Sequence, residues 1–484
     1  MREVLVELDR TRPGLADQLT GALRAAIGDG RLAAGTRLPS TRDLAAELTL
    51  SRGVVVEAYE QLTAEGWLLA RRGAGTTVAV TPPPPAAQYA QPDPRRGRPQ
   101  RPERSQGPEE HQPRPGPAGA GARVTVLRPG VPDLAMFPRA EWRRAYERAL
   151  RTARDADLDY GDPRGAPRLR TELAGYLGRV RAARLDPDEL FATTGAAQAF
   201  GLLAAVLRQH GATTVGIEDP GSPGIREHLT AHGLRLVPVP VDADGLDVGA
   251  LAASDAHAVL VTPAHQFPTG VVLAPRRRHE LLDWARRTGR LIVEDDYDAE
   301  FRYDRDPVGC LQGLAPDLVA YVGSVSKALA PGMRLGWLGV PPDLRQSVLA
   351  EKAAADLGGP VLEQLAFAEL LACGGYDRQL RRSRLVHRRR RDALIGAVRR
   401  HLPQARVSGV AAGLHLVLEL SAGVDDTALA AAATRAGLGP VPLSAARLGP
   451  SPPAGRPGLV LGYAAHSPDE LESAVRTLAG LIDA

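Results

Sequence analysis

A chain of 484 residues that is 44% hydrophobic is long enough for two or three domains and at least one large core, and its formal charge of +4 permits nucleic-acid binding without requiring it. No uncharged apolar run is long enough to span a bilayer, and the opening residues, MREVLVELDRTRPG, lack the apolar core of a secretory signal, so no membrane partner is expected. Two cysteines, Cys310 and Cys373, argue against a disulfide scaffold and suit a reducing cytoplasm.

In LADQLTGALRAAIG, Leu15, Leu19, Leu23 and Ile27 recur four apart, which predicts an amphipathic helix over residues 15–28. In PSTRDLAAEL, Ser40 can cap a second helix with Asp43 at its third position. Ser51 then caps a third, SRGVVVEAYEQLTAEG, with Val55, Ala58, Tyr59 and Leu62 facing inward and Gly66 as its stop. WLLARRGAGTTVAV reads as strand, glycine turn, strand. Three helices and a hairpin make a winged helix-turn-helix. Arg42 opens the first helix of the pair, Ser51 and Arg52 open the second, and Arg71 and Arg72 sit at the wing. Donors at the first turn of a recognition helix are placed for the major groove. Solvated arginines in an arginine-rich chain are the bland alternative, and the placement favours DNA.

The stretch LPSTRDLAAELTLSRGVVVEAYEQLTAEGWLLARRGAGTTV resembles the DNA-binding domain of the GntR regulators. The resemblance implies operator contacts at Arg42, Ser51, Arg52, Arg72 and Gly73. Gly53 stands where that family usually carries a longer residue, which leaves the base preference open.

Residues 81–123 are rich in Pro, Gly, Gln and Arg and nearly empty of aliphatic side chains, so a disordered Pro/Arg-rich linker is expected there. From Val124 onward, helical spacing alternates with short branched runs such as LIVED and LVAYVGS, the pattern of an α/β domain with a mainly parallel sheet.

Four stretches of this second domain carry chemistry. ATTGAAQAFGLLAAVL ends a strand at Gly195 and starts a helix at Ala196 and Ala197, where free amides form a phosphate site. LVTPAHQFPTG carries His265 from a strand end into a turn. RLIVEDDYDAEF delivers Asp295, Asp296, Tyr297 and Asp298, and a carboxylate there can pair with a protonated ring nitrogen while a phenol bonds a ring hydroxyl. An acidic cluster could instead bind a metal, but no partner histidine is evident, and no metal site is expected.

The fourth stretch, SVSKALAPGMRLGW, holds Lys327, one of only two lysines against 58 arginines, flanked by Ser324 and Ser326 and followed by Arg334. An amine can attack a carbonyl and a guanidinium cannot, so a lysine here reads as a nucleophile. Burial and the nearby Arg334 would both keep it neutral. Together the four stretches meet the needs of pyridoxal 5′-phosphate held as a Schiff base on Lys327.

This half resembles the fold-type I aminotransferases over essentially all of residues 124–484. The resemblance implies that Lys327 carries the cofactor and Arg334 binds its phosphate. It implies that Asp295, with Asp296 as the alternative, pairs with the pyridine nitrogen, that Tyr297 faces the ring hydroxyl, and that Tyr160 reaches a phosphate across a dimer interface. Ser222 replaces the usual stacking aromatic, a contact worth roughly 1 kcal/mol. Ala196 and Ala197 leave backbone amides and Gln198 in the phosphate loop. Val460 is read at the place of the arginine that clamps a substrate carboxylate, with Arg456 nearby but out of phase. This argues against efficient transamination.

A winged helix fused through a linker to such a domain is similar to the MocR subfamily of GntR regulators, whose phrases HQFPTG and EDDYDAEF much resemble those found here. The expected organisation is a reader over 1–80, a linker over 81–123 and a cofactor-binding, dimerising domain over 124–484. The expected function is a cytoplasmic regulator that acts as a head-to-tail homodimer on a double-stranded DNA operator. Its small-molecule effector is expected to be pyridoxal phosphate, with an amino acid as a further candidate. The alternative is an active aminotransferase with a DNA-binding appendage.

Overall fold

The computed structural model describes residues 8–11, 14–28, 30–71, 75–79, 126–303, 308–448 and 456–482. The expected linker over 81–123 and the wing residues Arg72 and Gly73 lie outside these. Helices α1 (Leu15–Gly28), α2 (Thr41–Glu47) and α3 (Arg52–Glu65) precede an antiparallel hairpin of β1 (Leu68–Arg71) and β2 (Gly75–Val78).

The Ser40 hydroxyl accepts the Asp43 amide at 3.2 Å and donates to the Asp43 carboxylate at 2.7 Å. The acid therefore closes on the capping hydroxyl rather than on the Ser40 amide. Ser51 caps α3 through the Val54 amide, and Gly66 stops it at φ +88°, a left-handed turn that glycine adopts without strain. The predicted inward stripes meet in one core, with Leu19, Leu23, Val55, Ala58 and Leu62 fully buried.

In the larger domain, α4 (Arg139–Thr152) and α5 (Pro167–Arg181) precede β3 (Leu190–Thr193), α6 (Ala196–Gln209), β4 (Thr214–Asp219) and α7 (Pro223–Ala231). Then come β5 (Arg235–Asp242), β6 (Gly245–Leu246), α8 (Val248–Ala252), β7 (Ala258–Val261), α9 (Pro275–Thr288), β8 (Leu291–Asp295), β9 (Val319–Ser324) and β10 (Gly336–Gly339). These strands form one sheet in the order β3-β10-β9-β8-β7-β4-β5-β6. From β9 to β5 neighbours run parallel, while β10 is antiparallel to both β3 and β9. Strands β7 and β8 are buried at every residue because helices cover both faces, which is why they read as continuous apolar runs.

Helices α10 (Arg345–Asp356), α11 (Val361–Ala372) and α12 (Gly375–His401) lead to β11 (Arg406–Ser408), β12 (His415–Glu419), α13 (Asp426–Arg435), β13 (Val441–Pro442), β14 (Gly458–Gly462) and α14 (Pro468–Ile482). Those four strands make an antiparallel sheet in the order β11-β12-β14-β13. Among the described residues no helix is long and apolar enough to cross a membrane.

The reader rests on the larger domain through the end of α3. The His279 ring Nε2 donates to the Gly66 carbonyl at 2.8 Å. Glu65, held by Arg24 at 2.7 Å and by Gln61 at 2.8 Å, packs so closely on Gly309 that a Cβ there would come within 3.1 Å of its carboxyl carbon.

Candidate functional site: a cofactor pocket and a DNA-reading face

The carboxyl ends of β8 and β9 face a cavity of about 430 Å³. Its wall includes Asp295, Tyr297, Asp298, Ser324, Ser326, Lys327, Arg334, Ala196 and Ala197, and with Leu260, Thr262 and Phe267 all four stretches singled out in the sequence converge on it. Lys327 Nζ donates to the Gly130 carbonyl at 2.6 Å. Burial lowers the pKa of this amine, opposed by the Asp298 and Asp295 charges and assisted by Arg128. The assisting cation is thus Arg128, not Arg334 as expected from sequence.

The two adjacent aspartates, indistinguishable in the sequence, separate by strand alternation. Asp296 turns away from the cavity into a buried ion pair with Arg181, at 2.7 and 3.1 Å, and also accepts the Tyr321 hydroxyl. Asp295 turns into the cavity, and its Oδ1 is buried with no hydrogen-bond partner among the described residues. Burial, then the charges of Asp296 and Asp298, pushes its carboxyl up to about 8. A buried orphan acceptor of this kind calls for a cationic donor, and a protonated pyridine nitrogen is one.

Arg334 sits at φ +47°, a left-handed conformation uncommon outside glycine, and donates to the Thr194 carbonyl. Its guanidinium lies so close to Gly195, which has φ +94°, that a Cβ on that glycine would approach Nη2 to 2.8 Å. Backbone amides of α6 and a guanidinium therefore share one small cradle of the kind that binds phosphate. Gly195→Ala is expected to weaken cofactor affinity at least about tenfold, roughly 1.4 kcal/mol, while the protein stays folded. Titration of the apoprotein followed by visible absorbance checks this.

Some expected residues stand elsewhere. Gln198 is not in the cavity wall: its side chain accepts the Thr194 amide at 2.9 Å and donates to Asp356 at 2.6 Å. His265, expected to bind the cofactor, is a buried residue behind the wall. Its Nδ1 lies 3.0 Å from Asp298 Oδ2 and 3.0 Å from the Tyr297 hydroxyl, so it positions the phenol instead. Tyr160 is 86% exposed and borders a different cavity. Ser222 lines the pocket as the first residue before α7. Val460 is fully buried in β14 against Val417 and Leu443, away from the pocket wall, and Arg456 is exposed.

The sequence reading also found no histidine to accompany the acidic cluster. The fold brings two, and ligand atoms of His265, Asp298 and His415 lie within 4.8 Å of one another. Gly413 fills the space beside them, since a Cβ there would lie 2.2 Å from the His265 ring. Sequence reasoning missed His415, Phe267, Thr262, Glu218 and Arg226 as pocket-lining residues, and only their places at strand ends and at the start of a helix could have signalled them.

On the reader, Arg42 is exposed on the first turn of α2, and Arg52 and Gly53 are exposed on the first turn of α3 beside the capping Ser51. Arg71 lies at the end of β1. Arg52→Ala is expected to weaken specific DNA binding by about 1–3 kcal/mol with no change in the melting temperature, measured by fluorescence anisotropy.

Two family models match the chain: "Bacterial regulatory proteins, gntR family" over residues 15–78 and "Aminotransferase class I and II" over residues 127–478. The chain is 33% identical to the probable rhizopine catabolism regulatory protein MocR of Rhizobium meliloti, over 95% of this chain and 92% of that protein. It is 34% identical to the pyridoxine biosynthesis transcriptional regulator PdxR of Corynebacterium glutamicum, over 83% and 82% respectively. The crystal structure of α-aminoadipate aminotransferase LysN from Thermus thermophilus, complexed with N-(5′-phosphopyridoxyl)-L-leucine, superposes with a TM-score of 0.66 at 28% identity, covering 74% of this chain and 92% of that one. With these matches beside the pocket and the reader, the chain belongs to the MocR subfamily of GntR-type transcriptional regulators, a winged helix-turn-helix carried with a pyridoxal-phosphate-binding domain of the aminotransferase fold.

Proposed function

We propose that this regulator senses pyridoxal phosphate at Lys327 and transmits its occupancy to an operator-reading domain. The observation that carries the reading is the orphaned carboxylate of Asp295, facing the same cavity as Lys327 and Arg334 in a chain that also carries a DNA reader. In this reading Lys327 links the cofactor covalently, Gly195, Ala196, Ala197, Ser324, Ser326 and Arg334 hold its phosphate, and Asp295 and Tyr297 hold its ring. His265 supports Tyr297 from behind. The bound cofactor would supply an electrophilic carbon and a cationic ring nitrogen. Arg42, Ser51, Arg52, Gly53, Arg71, Arg72 and Gly73 contact the operator.

Residues 1–80 act as the reader, 81–123 as the tether and 124–484 as the sensor, in a cytoplasmic head-to-tail homodimer where the exposed Tyr160 reaches the partner's phosphate. A contiguous set of contacts supports coupling of the two domains. Glu65 at the end of α3 packs on Gly309, and two residues further on the Leu311 and Gln312 amides each donate at 3.0 Å to Glu294, the neighbour of Asp295 in β8. Anisotropy of full-length protein with DNA from its own promoter region tests the regulatory reading. Nanomolar, salt-sensitive binding is the expected result, and no preference over unrelated DNA would contradict it.

A further inference from the structure

Helix α12 carries ten arginines against two acids, Asp377 and Asp392. Its inward arginines have partners: Arg390 pairs with Asp133 at 2.8 Å, and Arg384 donates to the Glu300 carbonyl. A second set, Arg378, Arg381, Arg382, Arg388 and Arg389, recurs at helical spacing and is exposed. Leu385, on the same face, is 62% exposed, which fixes that face as outward. Among the described residues these five arginines form no ion pair, and only Arg378 makes a side-chain hydrogen bond, to the Cys373 carbonyl at 2.9 Å. Merely solvated arginines on the other helices look different. On α4, Arg143 and Arg144 face Glu147 and Glu141, and on α9 Arg276 and Arg286 face Glu280 and Asp283. On α12 the two acids are taken by Arg179 and Arg391. Arg378 therefore repels Arg381 and Arg382, three and four places on, and no acid among the described residues offsets this.

The row begins beside the seat of the reader. Arg179, in the last turn of α5, holds Asp377, the residue before Arg378, at 2.8 Å. Two residues on, the Arg181 carbonyl accepts the Cys310 amide at 2.9 Å, and the neighbouring Gly309 is where Glu65 of α3 packs.

We propose that this row on α12 is a second DNA-contacting surface, one that holds the phosphate backbone of the duplex flanking the operator without reading its sequence. The proposal rests on the reading of residues 1–80 as an operator reader. At a rise of 1.5 Å per residue the row from Arg378 to Arg389 spans roughly 16 Å, the length of about five base pairs. Guanidinium forks bond phosphate oxygens in pairs, and forks without an internal partner have none to give up on binding. Such contacts fix how a duplex lies on the protein and carry no base information. Duplex is the polyanion that fits, because the reader that brings it is seated next to the start of the row.

Anisotropy of the full-length protein with nested duplexes from its own promoter region tests this. One duplex is the shortest that keeps specific binding, and the other extends it by about two helical turns on each side. The parent is expected to bind the longer duplex at least about tenfold more tightly. Its salt dependence should also be steeper there, by about 0.9 in slope for each phosphate neutralised. The combined variant Arg381→Gln, Arg382→Gln, Arg388→Gln and Arg389→Gln should lose both the gain and the extra slope. Its affinity for the short duplex and its melting temperature should match the parent's. Lysine at the same four positions should keep most of the gain, and Arg388→Gln with Arg389→Gln alone should remove part of it. No gain from the flanks in the parent would overturn the proposal. So would a gain that survives in the fourfold glutamine variant, or a loss in that variant equal on both duplexes. Failure of the parent to prefer its promoter DNA at any length would instead refute the reader itself.

Discussion

Asp296→Ala is expected to destabilise the larger domain by about 3–5 kcal/mol, because it leaves the Arg181 guanidinium buried without its carboxylate. Both side chains of that pair are almost completely excluded from solvent, at 1% and 3% exposure, and Tyr321 loses its acceptor as well. Asp295→Asn, one residue away, is expected to act in the opposite direction on the apoprotein. The Asp295 carboxyl is raised from an ordinary 3.8 to about 8, so its contribution to stability is full below about pH 4 and is lost as pH rises through about 8. Asparagine cannot ionise, so the advantage of the variant should grow across that window and vanish in acid. The same variant should lose cofactor affinity, since an amide is a poor partner for a pyridinium nitrogen. Thermal melts of the apoproteins between pH 4.5 and 8.5, beside a cofactor titration, check both statements. Equal melting temperatures for the two variants would show that strand alternation has been assigned the wrong way round.

Lys327→Ala is expected to abolish the visible absorbance of a lysine-linked cofactor and its fixation by borohydride, with the fold retained. The Lys327 amine is already depressed by burial, which raises the neutral fraction available to attack a carbonyl. Lys352, the other lysine, gives the contrast. It is buried at the end of α10, where it pairs with Asp356 at 2.5 Å and donates to the Gly358 carbonyl. It lies outside the pocket wall and is not expected to react. A band that persists in Lys327→Ala would remove the nucleophile from the account.

The contrast between these lysines also shows what the sequence conveys. Scarcity drew attention to Lys327, but Lys352 is equally scarce and serves packing, so the informative signal was the serine, glycine and arginine frame around Lys327. The reader was legible almost to the residue, because Ser40, Ser51 and Gly66 act through local backbone geometry that a short stretch encodes. The alternating α/β pattern was legible for the same reason. Asp295 and Asp296 could not be told apart, because only the partner across 115 residues of chain, Arg181, decides which one turns inward. His265 was grouped with the cofactor-binding residues although a histidine at a strand end reads more readily as a supporting one, and the packing of Asp298 and Tyr297 around its ring puts it behind the wall. Val460 was read at a clamp position from the resemblance to aminotransferases, and only the register of β14 against β12 shows that it is buried opposite Val417. Arg226 carried no sequence signal beyond its distance from a helix start. Contacts distant in the chain, unlike caps and periodicities, leave no local trace.

The central claim, that cofactor on Lys327 controls DNA reading, is tested most directly by operator affinity measured with and without pyridoxal phosphate for the parent protein and Lys327→Ala. The account predicts that saturating cofactor changes the affinity of the parent severalfold. At the same cofactor concentration, Lys327→Ala should bind DNA as the parent apoprotein does. Equal responses in the two proteins, or none in either, would contradict it.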